Sequence, residues 1–428
     1  MPHLKAIQRV LPSVMIISLL IVTSCRYDHP QEPNAGPVYI LSPQLEAVRN
    51  MVPANAVIAH RGSTYWVPEE TEAAFRWGRN IGADYLEADL QITRDGVIIA
   101  LHDVDLKRTT NIEEVFPDKA DFPASSFTYE ELMQLDAGSW FNMANPEQAR
   151  TGFATRKQYI STLEDMIMIA EGKRLKRDAT THQRIYTKVV QGGTAEYVFE
   201  YETDPMDIGH RPGIYIETKE PEVNPGIEQA LYAKLDQLGW NIITSPETDS
   251  DQFYSGPDGK LKVNIGNTNG KVILQTFSPE SLIILKFVFG GKIPTCFLLW
   301  NGLASENLPA VDKTTYTGLI NFGIDNYAVF FGPSIAGAPN NYYDLLEPWQ
   351  SELIHSSNTA IHAYSFDTRI QMEKYYLGEP GSSTPARPFA DGMFTNRAEM
   401  TLNFYHEKGV RSVGAEGTAE DILTNLGY

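Results

Sequence analysis

Short apolar runs alternate with amphipathic stretches along most of this chain, and several of those runs end abruptly on charge. In AVIAHRG the apolar segment from Ala56 to Ala59 stops at His60 and Arg61. DYLEADL carries Glu87 and Asp89, VIIALHD ends on His102 and Asp103, and GIYIETK ends on Glu217 and Lys219. Strands alternating with helices predict repeated βα units around a parallel sheet. VILQTF, TCFLLW, NYAVFF, AIHAYSF and GMFTN continue the strand series, with TEAAFRWGRNIG, STLEDMIMIAEG and GIEQALYAKLDQLG among the intervening helices. The expected fold is therefore α/β, a TIM-type (β/α)8 barrel. The strand candidates exceed a closed eight-stranded barrel by one, so one is surplus or lies outside it. The carboxyl ends of barrel strands form the active-site face, which would bring all four charged clusters to one mouth.

Spacing sharpens that expectation. Residues two apart on a strand point the same way, so Glu87 and Asp89 present two carboxylates to one face. Adjacent carboxylates repel unless they share a proton or a cation. With Glu217 and Lys219 on another strand, two neutralisers are open: a salt-bridged cluster with Arg61 and Lys219, or a hard divalent cation bound through oxygen.

The amino terminus reads as a processing segment. Lys5 and Arg9 precede the apolar run LPSVMIISLLIV, which is short for a bilayer span and has the proportions of a signal-peptide core. It leads into VTSC, which resembles a bacterial lipobox with Cys25 as the lipidated first residue of the mature protein. The expected organisation is a signal peptide over 1–24, a proline-bearing, lipid-attached tether over 25–53 and a catalytic body over 54–428. The location implied is the cell envelope: exported, lipid-anchored to a membrane, periplasmic or surface-facing. The other cysteine, Cys296, lies in an apolar run and is expected to be a buried, inert thiol.

The 428 residues carry 35 Lys and Arg against 54 Asp and Glu, a formal charge of -19. That balance excludes a nucleic-acid backbone as partner, because phosphate neutralisation needs an excess of clustered cations. A small phosphorylated substrate is compatible with it where cations are local.

AHRGSTYWVPEETEAAF followed by GADYLEADLQITRDGVIIALHDVDLKRTT resembles the opening of the glycerophosphodiester phosphodiesterase family: HRG, PE-x-T, E-x-D, T-x-DG, then HD with L-x-RTT. YIETK, LQTF, IHAYSF and ADGMFTN follow in the family's order, so the resemblance runs from about Ala56 to Asn396. It implies a metal-dependent hydrolase that converts a glycerophosphodiester, a small-molecule substrate, to sn-glycerol 3-phosphate and an alcohol. By the same resemblance, His60 and His102 are the general acid and base, and Glu87, Asp89 and Glu217 hold the metal, Ca2+ or Mg2+ with Ca2+ favoured. Arg61 and Lys219 would meet the phosphoryl charge, Gln275 would position substrate and Tyr364 would line the pocket. Lysophospholipids or phosphoinositides are the alternative substrates, and a noncatalytic binding barrel is the alternative class.

Two positions depart from the family pattern, Glu70 where Asn is frequent and Asn396 where an acid is usual; neither belongs to the expected catalytic set. Residues of about 173–212 form an insertion before the fourth strand, expected over the barrel mouth. His182 and His210 within it read as surface histidines, and Asp103 as a loop-structure residue. Tyr65 and Trp66 suit either an alcohol pocket or a core lid, and His362 has no assigned role.

Overall fold

The computed structural model describes residues 36–191, 194–248, 250–301, 312–377 and 387–428. The expected signal peptide, Cys25 and the first part of the tether lie outside them. In chain order the strands begin with β1 Ala56–Ala59, β2 Tyr85–Ile92, β3 Ile98–Ala100, β4 Lys173–Leu175, β5 Tyr186–Gln191, β6 Thr194–Phe199 and β7 Tyr201–Thr203. They continue with β8 Gly213–Thr218, β9 Phe253–Ser255, β10 Leu261–Val263, β11 Val272–Thr276, β12 Thr295–Leu299, β13 Phe330–Pro333, β14 Ala360–Phe366 and β15 Gly392–Thr395. The main sheet runs β1-β15-β14-β13-β12-β11-β8-β2, and β1 pairs with β2 to close it. Those eight strands are parallel, and helices cover the outside. Every residue of β1, β8, β11, β12, β13 and β15 is buried, which is why they read as unbroken apolar runs rather than alternating ones.

Helix boundaries follow local chemistry. The helix Glu72–Ile81 starts where the Thr71 side chain accepts from Ala74 N and stops at Gly82, whose φ of 97° suits glycine. The helix Leu163–Ala170 opens with a reciprocal Thr162 and Asp165 capping box.

The surplus strand is β3. It pairs antiparallel with β2, Ile98 opposite Ile92 and Ala100 opposite Leu90, and so descends from above the rim toward the mouth. His102 therefore arrives from a hairpin and not from the carboxyl end of a barrel strand. With β3 outside the barrel, the 173–212 insertion precedes the third barrel strand, β8, rather than the fourth.

The insertion does not cover the mouth. It leaves the carboxyl end of helix Leu163–Ala170, the end of the βα unit remote from the mouth, and packs up the outer wall as two antiparallel pairs, β4 with β7 and β5 with β6. Leu175 N donates to Glu72 Oε1, Arg184 pairs with Asp165 at 2.7 Å, and Asp204 receives Arg76 at 2.7 Å and Arg79 at 2.6 Å. None of its described residues lines the mouth cavity. His210 is buried, accepting from Val263 N and facing Glu416 at 3.2 Å, so only His182 is the surface histidine expected.

The described part of the expected tether, residues 36–53, is not a free linker. From residue 36 the chain packs onto the barrel: Leu41 is buried, Leu41 N donates to Ser357 O, and a helix spans Pro43–Arg49. Among the described residues no helix is long and apolar enough to cross a membrane.

Candidate active site

The mouth encloses a cavity of about 470 Å³. Register builds its floor, because Asp89 on β2, Glu217 on β8 and Gln275 on β11 are direct neighbours across the sheet, with Glu87 one inward-facing step below Asp89. One oxygen from each of Glu87, Asp89 and Glu217 lies within 4.8 Å of the others, and all three residues are buried. Glu87 is held at both oxygens, by Arg61 N at 2.7 Å and by Gln275 Nε2 at 2.8 Å. Gln275 thus lines the cavity chiefly as a clamp on Glu87, while its own Oε1 is buried without a hydrogen-bond partner.

The opening motif turns sharply at the rim. His60, Arg61 and Gly62 form a single 3-10 turn in which Arg61 takes a left-handed φ of 49°. Gly62 has φ 88°, and a Cβ there would sit 2.5 Å from that of Ala74. The turn aims the Arg61 side chain across the floor, with Nε 3.1 Å from Asp89 Oδ2 but off the hydrogen-bond line, so both atoms are buried without a hydrogen-bond partner. Lys219 Nζ lies 3.5 Å from Asp89 and 3.3 Å from Glu217.

Electrostatics show a deficit of positive charge. Glu70, Glu87, Asp89 and Glu217 bring four carboxyl groups against the two cations Arg61 and Lys219. Burial, reinforced by Asp89, pushes Glu87 up to about 8. Burial likewise holds Glu217 well above the ordinary carboxylate range, with Lys219 only partly opposing it. Burial would raise Asp89 too, but Lys219, His102 and Arg61 together hold it far below. A divalent cation would supply the missing charge. Three buried carboxylates converging on one point, one oxygen of them unpartnered, fit a hard, oxygen-seeking ion.

Two imidazoles line the same cavity. His60 Nδ1 lies 2.8 Å from Asn396 Oδ1, which also accepts from Thr64, while Asn396 Nδ2 donates to Asp367. That network makes Asn396 Oδ1 the acceptor and leaves His60 Nε2 unprotonated. Burial, helped by Arg61, lowers His60 to about 3. His102 Nδ1 lies 2.6 Å from Asp103 Oδ1; burial, then Arg61 and Lys219, lower His102, and Asp103 opposes them. Asp103 is thus a partner of His102, not a loop residue alone.

Both family departures touch the set. Asn396 fixes His60, and buried Glu70 accepts from Asp89 N at 2.7 Å. Glu69 and Arg108, fixed letters of PE-x-T and L-x-RTT with no role assigned from sequence, sit beside Arg61 and Asp103, and Arg108 lines the cavity. An aromatic wall of Phe277, Trp300, Tyr342 and Tyr364 faces the charged floor, and Tyr364 OH donates to Leu299 O. Tyr65 and Trp66 stack with Arg397 outside the cavity. His362 belongs to the core beneath, stacked on Phe330 at 4.0 Å and 3.2 Å from Tyr215 OH. Cys296 is buried, its thiol pushed up to about 12 by burial.

Residues 60–222 match the sequence profile of the Glycerophosphoryl diester phosphodiesterase family. A glycerophosphodiester phosphodiesterase of Bacillus subtilis is 28% identical over 321 residues, 74% of this chain and 78% of that protein. Residues 60–222 thus form a domain matched by the glycerophosphoryl diester phosphodiesterase family model. The human glycerophosphodiester phosphodiesterase domain-containing protein 5 is 34% identical over 143 residues, which span 32% of this chain and 24% of the human protein. A solved structure from Silicibacter pomeroyi, provisionally named for the same family, superposes with a TM-score of 0.53 at 14% identity, covering 86% of this chain and 98% of that one. One from Agrobacterium tumefaciens gives 0.51 at 12% identity, with 84% and 100% covered. These two share the barrel fold.

Proposed function

We propose that the chain hydrolyses glycerophosphodiesters to sn-glycerol 3-phosphate and an alcohol, with His60 as base and His102 as acid. The observation that carries this is the meeting of both imidazoles, three convergent carboxylates and two cations in one cavity of substrate size. Glu87, Asp89 and Glu217 would hold a divalent cation, which when bound supplies Lewis-acid polarisation and charge neutralisation.

The protein's own groups then divide the work. The Arg61 guanidinium and Lys219 ammonium meet the phosphoryl oxygens. His60 Nε2 takes the proton of the glycerol 2-hydroxyl as its oxygen bonds to phosphorus, and the Asn396 contact keeps that nitrogen free to do so. His102, its Nδ1 proton on Asp103, gives its Nε2 proton to the departing alcohol. The bound phosphodiester anion offsets Arg61 and Lys219, the charges that otherwise oppose protonation of His102. Water opens the resulting cyclic phosphate with the two histidines in exchanged roles.

The test is purified protein against glycerophosphocholine, glycerophosphoethanolamine, glycerophosphoglycerol, a lysophospholipid and a phosphoinositide, before and after chelation. Release of sn-glycerol 3-phosphate from the first group, lost on chelation and restored by Ca2+ or Mg2+, is expected. Turnover confined to the last two would replace the substrate class, and full activity after exhaustive chelation would overturn the metal. For location, VTSC before Cys25 supports a lipid-anchored envelope enzyme, and labelled palmitate should enter the wild type but not Cys25→Ala.

A further inference from the structure

The acid and the phosphate-binding cation come from different elements. Arg61 sits in the turn after β1, with Glu69 farther along the same loop. His102 and Asp103 follow the β3 hairpin, and Arg108 lies five residues beyond Asp103. The backbone at His102 is already secured, because Gln91 Nε2 donates to Leu101 O and Asp103 O, both at 2.7 Å, and Leu101 N donates to Asp89 O. The side chains need a tie of their own.

One guanidinium provides it. Arg108 Nε lies 2.6 Å from Asp103 Oδ2 and Nη2 lies 3.1 Å from Asp103 Oδ1, the oxygen that holds His102 at 2.6 Å. Its other edge grips Glu69, Nη1 to Oε2 at 2.8 Å and Nη2 to Oε1 at 2.7 Å, and Glu69 Oε1 lies 3.5 Å from Arg61 Nη1. A continuous line of charged contacts runs His102–Asp103–Arg108–Glu69–Arg61. Both carboxylates are met in forked geometry, which a planar guanidinium offers and an ammonium does not.

We propose that Arg108 is a positioning residue that holds His102 and Arg61 in fixed relation, so that one phosphodiester meets both. This rests on the roles assigned to those two residues above. Without Arg108, the Asp103 carboxylate is free to swing and the His102 imidazole with it, while Glu69 exchanges its strongest partner for Arg61 and draws that side chain off the phosphate. Arg108 is 43% exposed at its side chain, so a variant there opens no cavity in the core, although Glu69, 9% exposed, keeps only Arg61 as partner.

The experiment compares wild type, Arg108→Met, Arg108→Lys and Arg108→Ala as full-length, metal-loaded enzyme on two esters of glycerol 3-phosphate. One has an alkyl alcohol as leaving group, which needs a proton to depart; the other has p-nitrophenol, which does not. Expected is a kcat loss of about 10²-fold on the alkyl ester for Arg108→Met, a clearly smaller loss on the aryl ester and a thermal midpoint that stays above the assay temperature. Arg108→Lys should fail to restore the alkyl rate, and added guanidinium ion should recover part of it in Arg108→Ala. Near wild-type alkyl turnover in Arg108→Met would overturn the proposal, as would equal losses on both esters through KM alone, which would make Arg108 a direct phosphate ligand. An inactive wild type would instead overturn the functional reading beneath it.

Discussion

The mouth and the outer wall both bury charge, and they bury it in opposite ways. On the wall, Asp204 receives Arg76 through two hydrogen bonds of 2.7 and 2.8 Å and Arg79 through a third of 2.6 Å, and Asp165 takes Arg184 at 2.7 and 3.1 Å together with Tyr201. Their side chains are sealed and every carboxylate oxygen is bonded: Asp165 offsets Arg184, of which only Nε lacks a partner, while Asp204 is shared by Arg76 and Arg79, with Asp207 3.7 Å from Arg79. At the mouth, Asp89 Oδ2 and Arg61 Nε lie close without a hydrogen bond, and acids outnumber cations. A satisfied buried pair fixes structure; a buried surplus of one sign, left misaligned, is suited to something that binds from outside. The insertion is therefore held by closed charge pairs, whereas the mouth has charge left for a ligand.

The largest effect that would break this contrast lies in catalysis. His60→Ala or His102→Ala should lower turnover by roughly 10²- to 10⁴-fold with little change in thermal midpoint, and the double variant should be little worse than the poorer single one because the two act as a unit. Next comes Asp204→Ala, which strips the shared partner from Arg76 and Arg79 and should destabilise the fold by about 3–5 kcal/mol. Its kcat, measured below the melting range, should stay near wild type, since the wall does not reach the cavity. A large kcat loss there would dissolve the distinction between the two regions.

A third effect separates them by ligand. A divalent cation at about 100 times its dissociation constant should stabilise the protein by about 2.7 kcal/mol in thermal or chemical denaturation. Glu217→Gln should abolish that gain while leaving the metal-free protein at least as stable as wild type, because it relieves crowding with Asp89 and Glu87. The equivalent change at Asp165, which is fully paired, should only destabilise.

Much of this contrast was legible in the sequence, and its limits have physical reasons. Fully buried parallel strands read as apolar runs, so the barrel was visible in β1, β8 and β11, and the two-residue spacing of Glu87 and Asp89 announced their shared face. The direction of β3 was not, because an apolar run looks alike whichever way it pairs. The signal was nevertheless present: in ITRDGV the Asp95-Gly96 pair makes the turn, with Gly96 at φ 85° and Thr93 N bonded to Val97 O. Glu69 and Arg108 fall on fixed letters of PE-x-T and L-x-RTT, but neither motif says that they meet until the fold brings together residues 39 apart in sequence. His210 was misread for the same reason: Glu416, the acid that faces it, is 206 residues away. The insertion carried strand-like residues but nothing local that told the mouth from the wall.

The smallest effect, and the one that sharpens the comparison most, is the pH dependence of stability. Burial would raise Asp204, but hydrogen bonds and charge from Arg76 and Arg79 hold it at about 2, below its unfolded value of 3.8. A depressed folded pKa contributes stability above the unfolded value and loses it as pH falls, so the wall weakens from about pH 4 toward pH 2. Glu87 runs the other way, raised by burial and Asp89 from 4.5 to about 8. Its contribution is complete below pH 4.5 and is lost as pH rises through 8, so the metal-free mouth weakens on the alkaline side. Metal-free protein should therefore lose a few degrees of thermal midpoint between pH 5 and pH 8.5, roughly what a kcal/mol or two yields in a chain of this size. Saturating Ca2+ or Mg2+ favours the ionised carboxylates and should flatten that alkaline slope. It should leave the acid limb in place, and Asp204→Asn should reduce that limb. An alkaline slope that persists unchanged with metal, or that Glu87→Gln fails to reduce, would show that the surplus charge at the mouth does not govern this limb.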